Sequence, residues 1–155
     1  MELANDSCAT RAERELTRMA GYRYRISLRI WHPTRSLEGM ATELNLTPTR
    51  LVLAGTPRTT KAGAPLSGVH TENYWTAEII AGAYADRSLA SALRDVLESL
   101  TPKRDLLRGL TVDGGRVELF IGWFFEEGNS GDILGHKLLG QLADLCIDIS
   151  LDIYP

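Results

Sequence analysis

The side chains with most to offer chemically are arginines on a two-residue period. Arg23, Arg25 and Arg29 stand at odd positions, while Tyr22, Tyr24, Ile26, Leu28 and Ile30 hold the even ones. Such alternation predicts a β-strand with one buried and one wet face. The wet face then carries a cationic stripe, either a solvated ladder of cross-strand ion pairs or a docking surface for another macromolecule. Trp31 follows the arginines in this alternation, beside His32-Pro33, and is a candidate partner contact. A second cationic group lies in Gly55-x-Pro57-Arg58 with Lys61, where backbone amides and two cations suit a small anion. Arg35 would join Arg58 and Lys61 around a ligand held between the 31–36 turn and a loop over 55–72. The candidate binding residues are therefore Arg25, Arg29, Trp31, Arg35, Arg58 and Lys61.

Other residue types combine less well. His32, His70 and His136 each lack a second histidine or a cysteine at metal-ligand spacing, so no metal site is expected. Glu126-Glu127 closes a strand, and Asp148 and Asp152 suit solubility better than acid–base work. No glycine-rich phosphate loop and no Gly-x-Ser-x-Gly elbow is present. The reading goes against an enzyme and implies no cofactor.

The elements that must position these residues fit one domain of 155 residues, with 1–20 as a mobile or helical extension and 21–155 as the folded unit. With 17 basic and 20 acidic residues, net charge −3 gives no global attraction to nucleic acid or anionic membrane. Cys8 and Cys146 suggest no disulfide framework, Cys146 reading as a small buried hydrophobe. No apolar run is long enough to span a bilayer and Met1 to Ala20 lacks a signal peptide's apolar centre, so a cytoplasmic location is expected.

The first strand covers 22–31 and ends at Pro33. Ser36 is a candidate cap for a helix bearing Leu37, Met40, Ala41 and Leu44, followed by a short strand over 50–54. Residues 55–72, rich in glycine and proline, read as a long loop. A strand over 74–81 sets Trp75, Ala77 and Ile79 on one face, and Ser88 caps a helix with Leu89, Leu93, Val96, Leu97 and Leu100. A short helical piece over 103–107 stops before Gly109. The strand over 116–126 buries Val117, Leu119, Ile121, Trp123 and Phe125. Asp132 is a candidate cap for a third helix, and a last strand buries Ile147, Ile149, Leu151 and Ile153.

This series predicts an α+β two-layer sandwich, a ferredoxin-like βαββαβ core extended by a C-terminal helix and strand, with helices on one face of a mostly antiparallel sheet. Arg23, Arg25 and Arg29 would lie beside Glu118 and Glu78, with Asp148 and Asp152 nearby. Phe120 and Phe124 share that open face. Their acidic neighbours and the missing aromatic-glycine signature speak against base stacking, so nucleic acid is not an expected partner. They are expected under the N-terminal segment or at a subunit contact, and a homo-oligomer remains open.

Several pieces together resemble a bacterial family, domain of unknown function 4279: Tyr24 to Ile30, Leu44-Asn45-Leu46, Thr47-Pro48-Thr49, Gly55-x-Pro57, Tyr74-Trp75, Leu97 to Lys103 and Asp148 to Tyr154. The similarity spans about residues 22 to 155. The resemblance implies a small intracellular domain and brings no catalytic residues. The leading expectation is a protein-interaction module, of a partner-inhibiting or toxin-neutralising kind. The alternative is a ligand-binding sensor for a small molecule or anion.

Overall fold

The computed structural model describes residues 21–83, 87–125 and 131–154. The expected N-terminal extension, Cys8 and the Glu126-Glu127 pair lie outside the described residues. A five-stranded sheet, β1 (Tyr22–His32), β2 (Arg50–Val52), β5 (Asn73–Ala83), β6 (Arg116–Phe125) and β7 (Asp148–Tyr154), runs in the order β2-β5-β1-β6-β7. All neighbours are antiparallel except β6 and β7. The helices are α1 (Met40–Leu44), α2 (Leu89–Leu100), α3 (Arg104–Val112) and α4 (His136–Asp144), with a 3₁₀ turn Thr101–Lys103 between α2 and α3. This is a mixed α+β fold. Its element order departs from the expected βαββαβ series. A hairpin, β3 (Pro57–Thr59) with β4 (Pro65–Val69), stands between β2 and β5, and the helical piece expected over 103–107 is a longer helix, α3, that follows α2 before β6.

Alternation in β1 decides what is buried. Tyr22, Tyr24, Ile26, Leu28, Ile30 and His32 all face the core, where they meet Leu119 and Ile121 of β6 and the apolar sides of the helices. Trp75, only 1% exposed, anchors the β5 end. The bulge in β5 corrects the simple period-2 reading. Ser27 pairs with Glu78 but Ile26 pairs with Ile80, so Ile79 is the extra residue, and Ile79 and Ile80 are both half-buried. A second irregularity follows between the Ile26–Ile80 and Tyr24–Ala83 pairs, and each inserted residue rephases the side chains that come after it.

The segment over 55–72 is not a plain loop. Its hairpin turn is closed by Thr60 N–H to Ala64 carbonyl at 2.8 Å, with Gly63 and Gly68 at positive φ. Every residue of β3 and β4 is exposed, so neither strand shows a buried-face alternation. Backbone pairs between Gly55 and His70 (2.8 Å) and His70 and Thr56 (2.9 Å) fasten its base.

Several caps differ from expectation. Ser36 bonds Glu38 within a turn, and α1 starts only at Met40. Helix α3 runs through Gly109 to Val112 and stops at Gly114, φ +94°, because Leu107 and Leu110 have core to reach. Ser88 does cap α2, accepting from the Ser91 N–H at 3.2 Å. Asp132 also serves α2 and not the helix that follows it. Its carboxylate accepts from the Ala90 N–H at 2.9 Å and from the Tyr22 hydroxyl at 3.2 Å, while that hydroxyl accepts from the Leu89 N–H. Three side chains thus satisfy three of the donors that a helix start leaves without partners. Helix α4 begins at Gly135 with no side-chain cap.

Helix α4 ends in a Schellman turn. Cys146, φ +55°, takes the left-handed position, and the Ile147 N–H reaches the Leu142 carbonyl at 3.0 Å. Cys146 is half-buried and free. Beyond it, Ile147 is buried and Ile149 half-buried, but Leu151 and Ile153 are 44% and 58% exposed, contrary to the expected buried strand. Among the described residues β7 pairs on one side only, which leaves its end without an outer neighbour.

Candidate functional site

The odd-numbered side chains of β1 lie on the sheet face away from the core, in rows fixed by register. One row reads Arg50, Thr76, Arg29, Glu118, Asp148 across all five strands. The next reads Val52, Tyr74, Trp31, Arg116. Toward the other end come Glu78, Ser27, Phe120, Ser150, then Arg25, Gly122, Asp152, then Arg23, Phe124, Tyr154.

Arginine and aromatic groups interleave on this surface. The Arg29 guanidinium lies 3.4 Å from the Phe120 ring centre and 3.6 Å from the Glu118 carboxylate. Arg116 covers Trp31 at 4.0 Å, and Trp31 leans on Tyr74 with ring centres 5.1 Å apart. Phe124 stacks on Tyr154 at 4.7 Å beside Arg23. A Cβ on Gly122 would lie 3.4 Å from the Phe124 ring, in ordinary contact with it. The Tyr154 hydroxyl donates to Asp152, which raises the pKa of that phenol. These contacts hold flat, rigid groups over a polar floor, an arrangement suited to recognition.

Two hollows open on this face. A cleft of about 380 Å³ is lined by Arg29, Trp31, Arg50, His70, Glu72 and Tyr74 among others. A second, of about 340 Å³, lies among Arg23, Tyr24, Arg25 and Phe124. The structure thus brings Arg29 and Trp31 into one cleft and sets Arg25 at the other. Arg58 and Lys61 sit exposed on the β3–β4 hairpin, and with Arg35 they line none of the described hollows. Between the 31–36 turn and the start of the hairpin segment stands the buried Asn73. Its amide donates to the Arg35 carbonyl and accepts from the Ala54 N–H, both at 2.9 Å, tying the two segments together.

Arg50, His70, Glu72 and Tyr74 were not candidates from sequence. Arg50 and Tyr74 could have been found by extending the alternation across β2 and β5. His70 and Glu72 could not, because the hairpin that delivers them has no buried face. His32 is placed elsewhere, buried with Nδ1 accepting from the Arg35 N–H at 2.7 Å and the Thr34 N–H at 3.2 Å, so it shapes the turn after β1.

The family model for a domain of unknown function (DUF4279) matches residues 22–155, which hold the whole sheet and both hollows. The chain belongs to that family. No curated protein and no solved structure matches it. In this DUF4279 domain no group of three or more potential metal ligands occurs among the described residues, and none of their helices is long and apolar enough to cross a membrane.

Proposed function

We propose that this protein is a non-enzymatic interaction module that docks another protein on its open sheet face. The observation that carries this reading is the interleaving of Trp31, Tyr74, Phe120, Phe124 and Tyr154 with Arg23, Arg25, Arg29, Arg50 and Arg116 on one face. Tryptophan, tyrosine and arginine dominate binding hot spots because they supply large area with few rotamers to freeze and a fixed hydrogen-bonding fork. The acids Glu118, Asp148 and Asp152 gather toward β7, while on the β1–β2 side Arg23, Arg25, Arg29 and Arg50 outnumber Glu72 and Glu78, so that side fits an acidic partner surface. A partner-inhibiting or toxin-neutralising role is consistent with binding of this kind.

The test is capture from the native host's lysate with the tagged protein, beside the double variant Arg25→Glu/Arg29→Glu, read by mass spectrometry. A stoichiometric protein held by the wild type and lost by the variant, with the circular dichroism spectrum unchanged, is the expected result. Equal capture by both would remove the sheet face from the account.

The 380 Å³ cleft favours a second reading, a small-molecule or anion sensor. A thermal-shift screen with nucleotides and phosphorylated metabolites discriminates, since a ligand of the native state must raise stability.

A further inference from the structure

The core side of the sheet is left bare at the far end of β7. Leu151 and Ile153 pair with Ile121 and Trp123 of β6 and so face the helices, yet they stand 44% and 58% exposed. Helix length explains the gap. Helix α4 leads into β7 through a short turn, so it lies over the beginning of the strand. Its nine residues rise only about 14 Å, against about 23 Å for the seven residues of β7. Ile147 is therefore buried and Ile149 half-buried, while the last two apolar side chains are passed by. The rings of the open face have no such need. Arg29 already covers Phe120 at 3.4 Å, and Tyr154 covers Phe124 at 4.7 Å.

Residues 1–20 join the described domain beside this gap. Gly21 stands one residue before Tyr22, which pairs with Phe125 at the end of β6, and Phe124 pairs with Tyr154. By these registers Ile153 lies two strands across and three residues along, about 14 Å from Gly21. The segment before Gly21 carries signals for both ends of a helix. Thr10 and Glu13 have capping-box spacing, and Gly21, φ +59°, takes the left-handed conformation that closes helices. Between them Ala12, Leu16 and Met19 recur at i, i+4 and i+7, with Arg11, Glu13, Arg14 and Arg18 off that stripe. So short a helix does not hold in water alone and needs a surface for its stripe. We infer that residues 11–20 form a helix that folds back at Gly21 and seats its apolar stripe on the bare end of β7, against Ile153 and Leu151. Ten helical residues span about 15 Å, which matches the distance to Ile153. Met19, nearest Gly21, meets the half-buried Phe125 and Trp123, and Leu16 reaches Ile153. The proposed docking face lies on the other side of the sheet and stays open to a partner.

The test is nuclear magnetic resonance on the methyl-labelled full chain. Overhauser contacts between the Leu16 methyls and those of Ile153 or Leu151 are expected, with helical chemical shifts over 11–20. Leu16→Ser and, from the other side, Ile153→Ser should each abolish these contacts and lower the hydrogen-exchange protection of the segment's amides about tenfold or more. Leu66→Ser, on the hairpin at a position 45% exposed, should change neither. The Leu119 amide, in the middle of the sheet, reports that each variant stays folded. Contacts of Leu16 with Phe120 or Phe124 would put the segment on the open face and overturn the seat. Contacts between differently labelled copies would give the end of β7 to a second copy and overturn it as well. Coil shifts over 11–20, or protection undiminished in Ile153→Ser, would do the same. None of these readouts involves a partner, so an empty lysate capture and an unoccupied β7 end are separate failures.

Discussion

The two faces of β1 come from alternate residues of one segment, yet they are held in place by different physics. The inner face is packed: Leu28 and Ile30 touch Leu119, Val117 and the helices with no exposure. The outer face is tethered by polar and ring contacts, such as Arg29 to Glu118 and Phe120. Packing loses free energy steeply when an atom is removed, because neighbours relax only partly. Tethers in contact with water lose little, because water replaces the partner. The surface proposed for recognition is therefore also the one free to change without unfolding the domain.

The sharpest challenge to this contrast is Leu119→Ala, expected to cost about 3 kcal/mol in chemical denaturation. A loss near that of a surface variant would mean that the inner face does not hold the fold. Gly115→Ala should follow at roughly 2 kcal/mol, as overpacking. A Cβ there would come within 2.7 Å of the Leu110 carbonyl oxygen and 2.8 Å of the Trp31 carbonyl oxygen, backbone atoms that cannot swing aside. Asp132→Ala removes the acceptor shared by Ala90 and Tyr22, and should cost about 1 kcal/mol.

Alkaline pH reaches the inner face through its two buried phenols. Tyr24, 3% exposed, is pushed up to about 12, first by burial and then by the neighbouring Tyr22 phenol. Tyr22 is raised too, by burial above all, with Asp132 adding to the rise and the Leu89 N–H opposing it. A raised folded-state pKa means that the native state holds its proton more tightly. This contribution is complete below the ordinary phenol value of about 10 and is lost as pH climbs through about 12. Tyr24→Phe should flatten that decline in a pH series of denaturation midpoints. The smallest effect belongs to Arg29→Glu, expected within about 0.5 to 1 kcal/mol of wild type even though it places a second acid beside Glu118.

Much of the fold was legible because burial imprints a period. The alternation of 22–30 and 116–125 and the helical spacing of Leu89, Leu93, Val96, Leu97 and Leu100 all appear as elements with those faces buried, except that Trp123 and Phe125 at the end of β6 are only half-buried. The misses fall where burial leaves no imprint or where a partner is distant. The β3–β4 hairpin is wholly exposed, so its residues obey turn chemistry alone. The bulge at Ile79 breaks a period that sequence can only continue. Asp132 looked like the cap of the next helix, but the N–H it satisfies lies 42 residues earlier in the chain. Of the candidate site, Arg29 and Trp31 were found because β1 shows its alternation, and Arg50, His70 and Glu72 were not.

By itself the sequence determined which of the longer segments become strands and helices, which face of β1 and of α2 is apolar, and that arginine and aromatic residues share the wet side of the first strand. These are local properties, set by the 2.0 and 3.6 residue periods of the backbone. Only the tertiary structure decided which strands become neighbours, and therefore that Arg50 and Arg29 flank Thr76 while the hairpin brings His70 and Glu72 to the same cleft. Strand pairing joins residues distant in the chain, and no local period encodes which of the possible neighbours will meet.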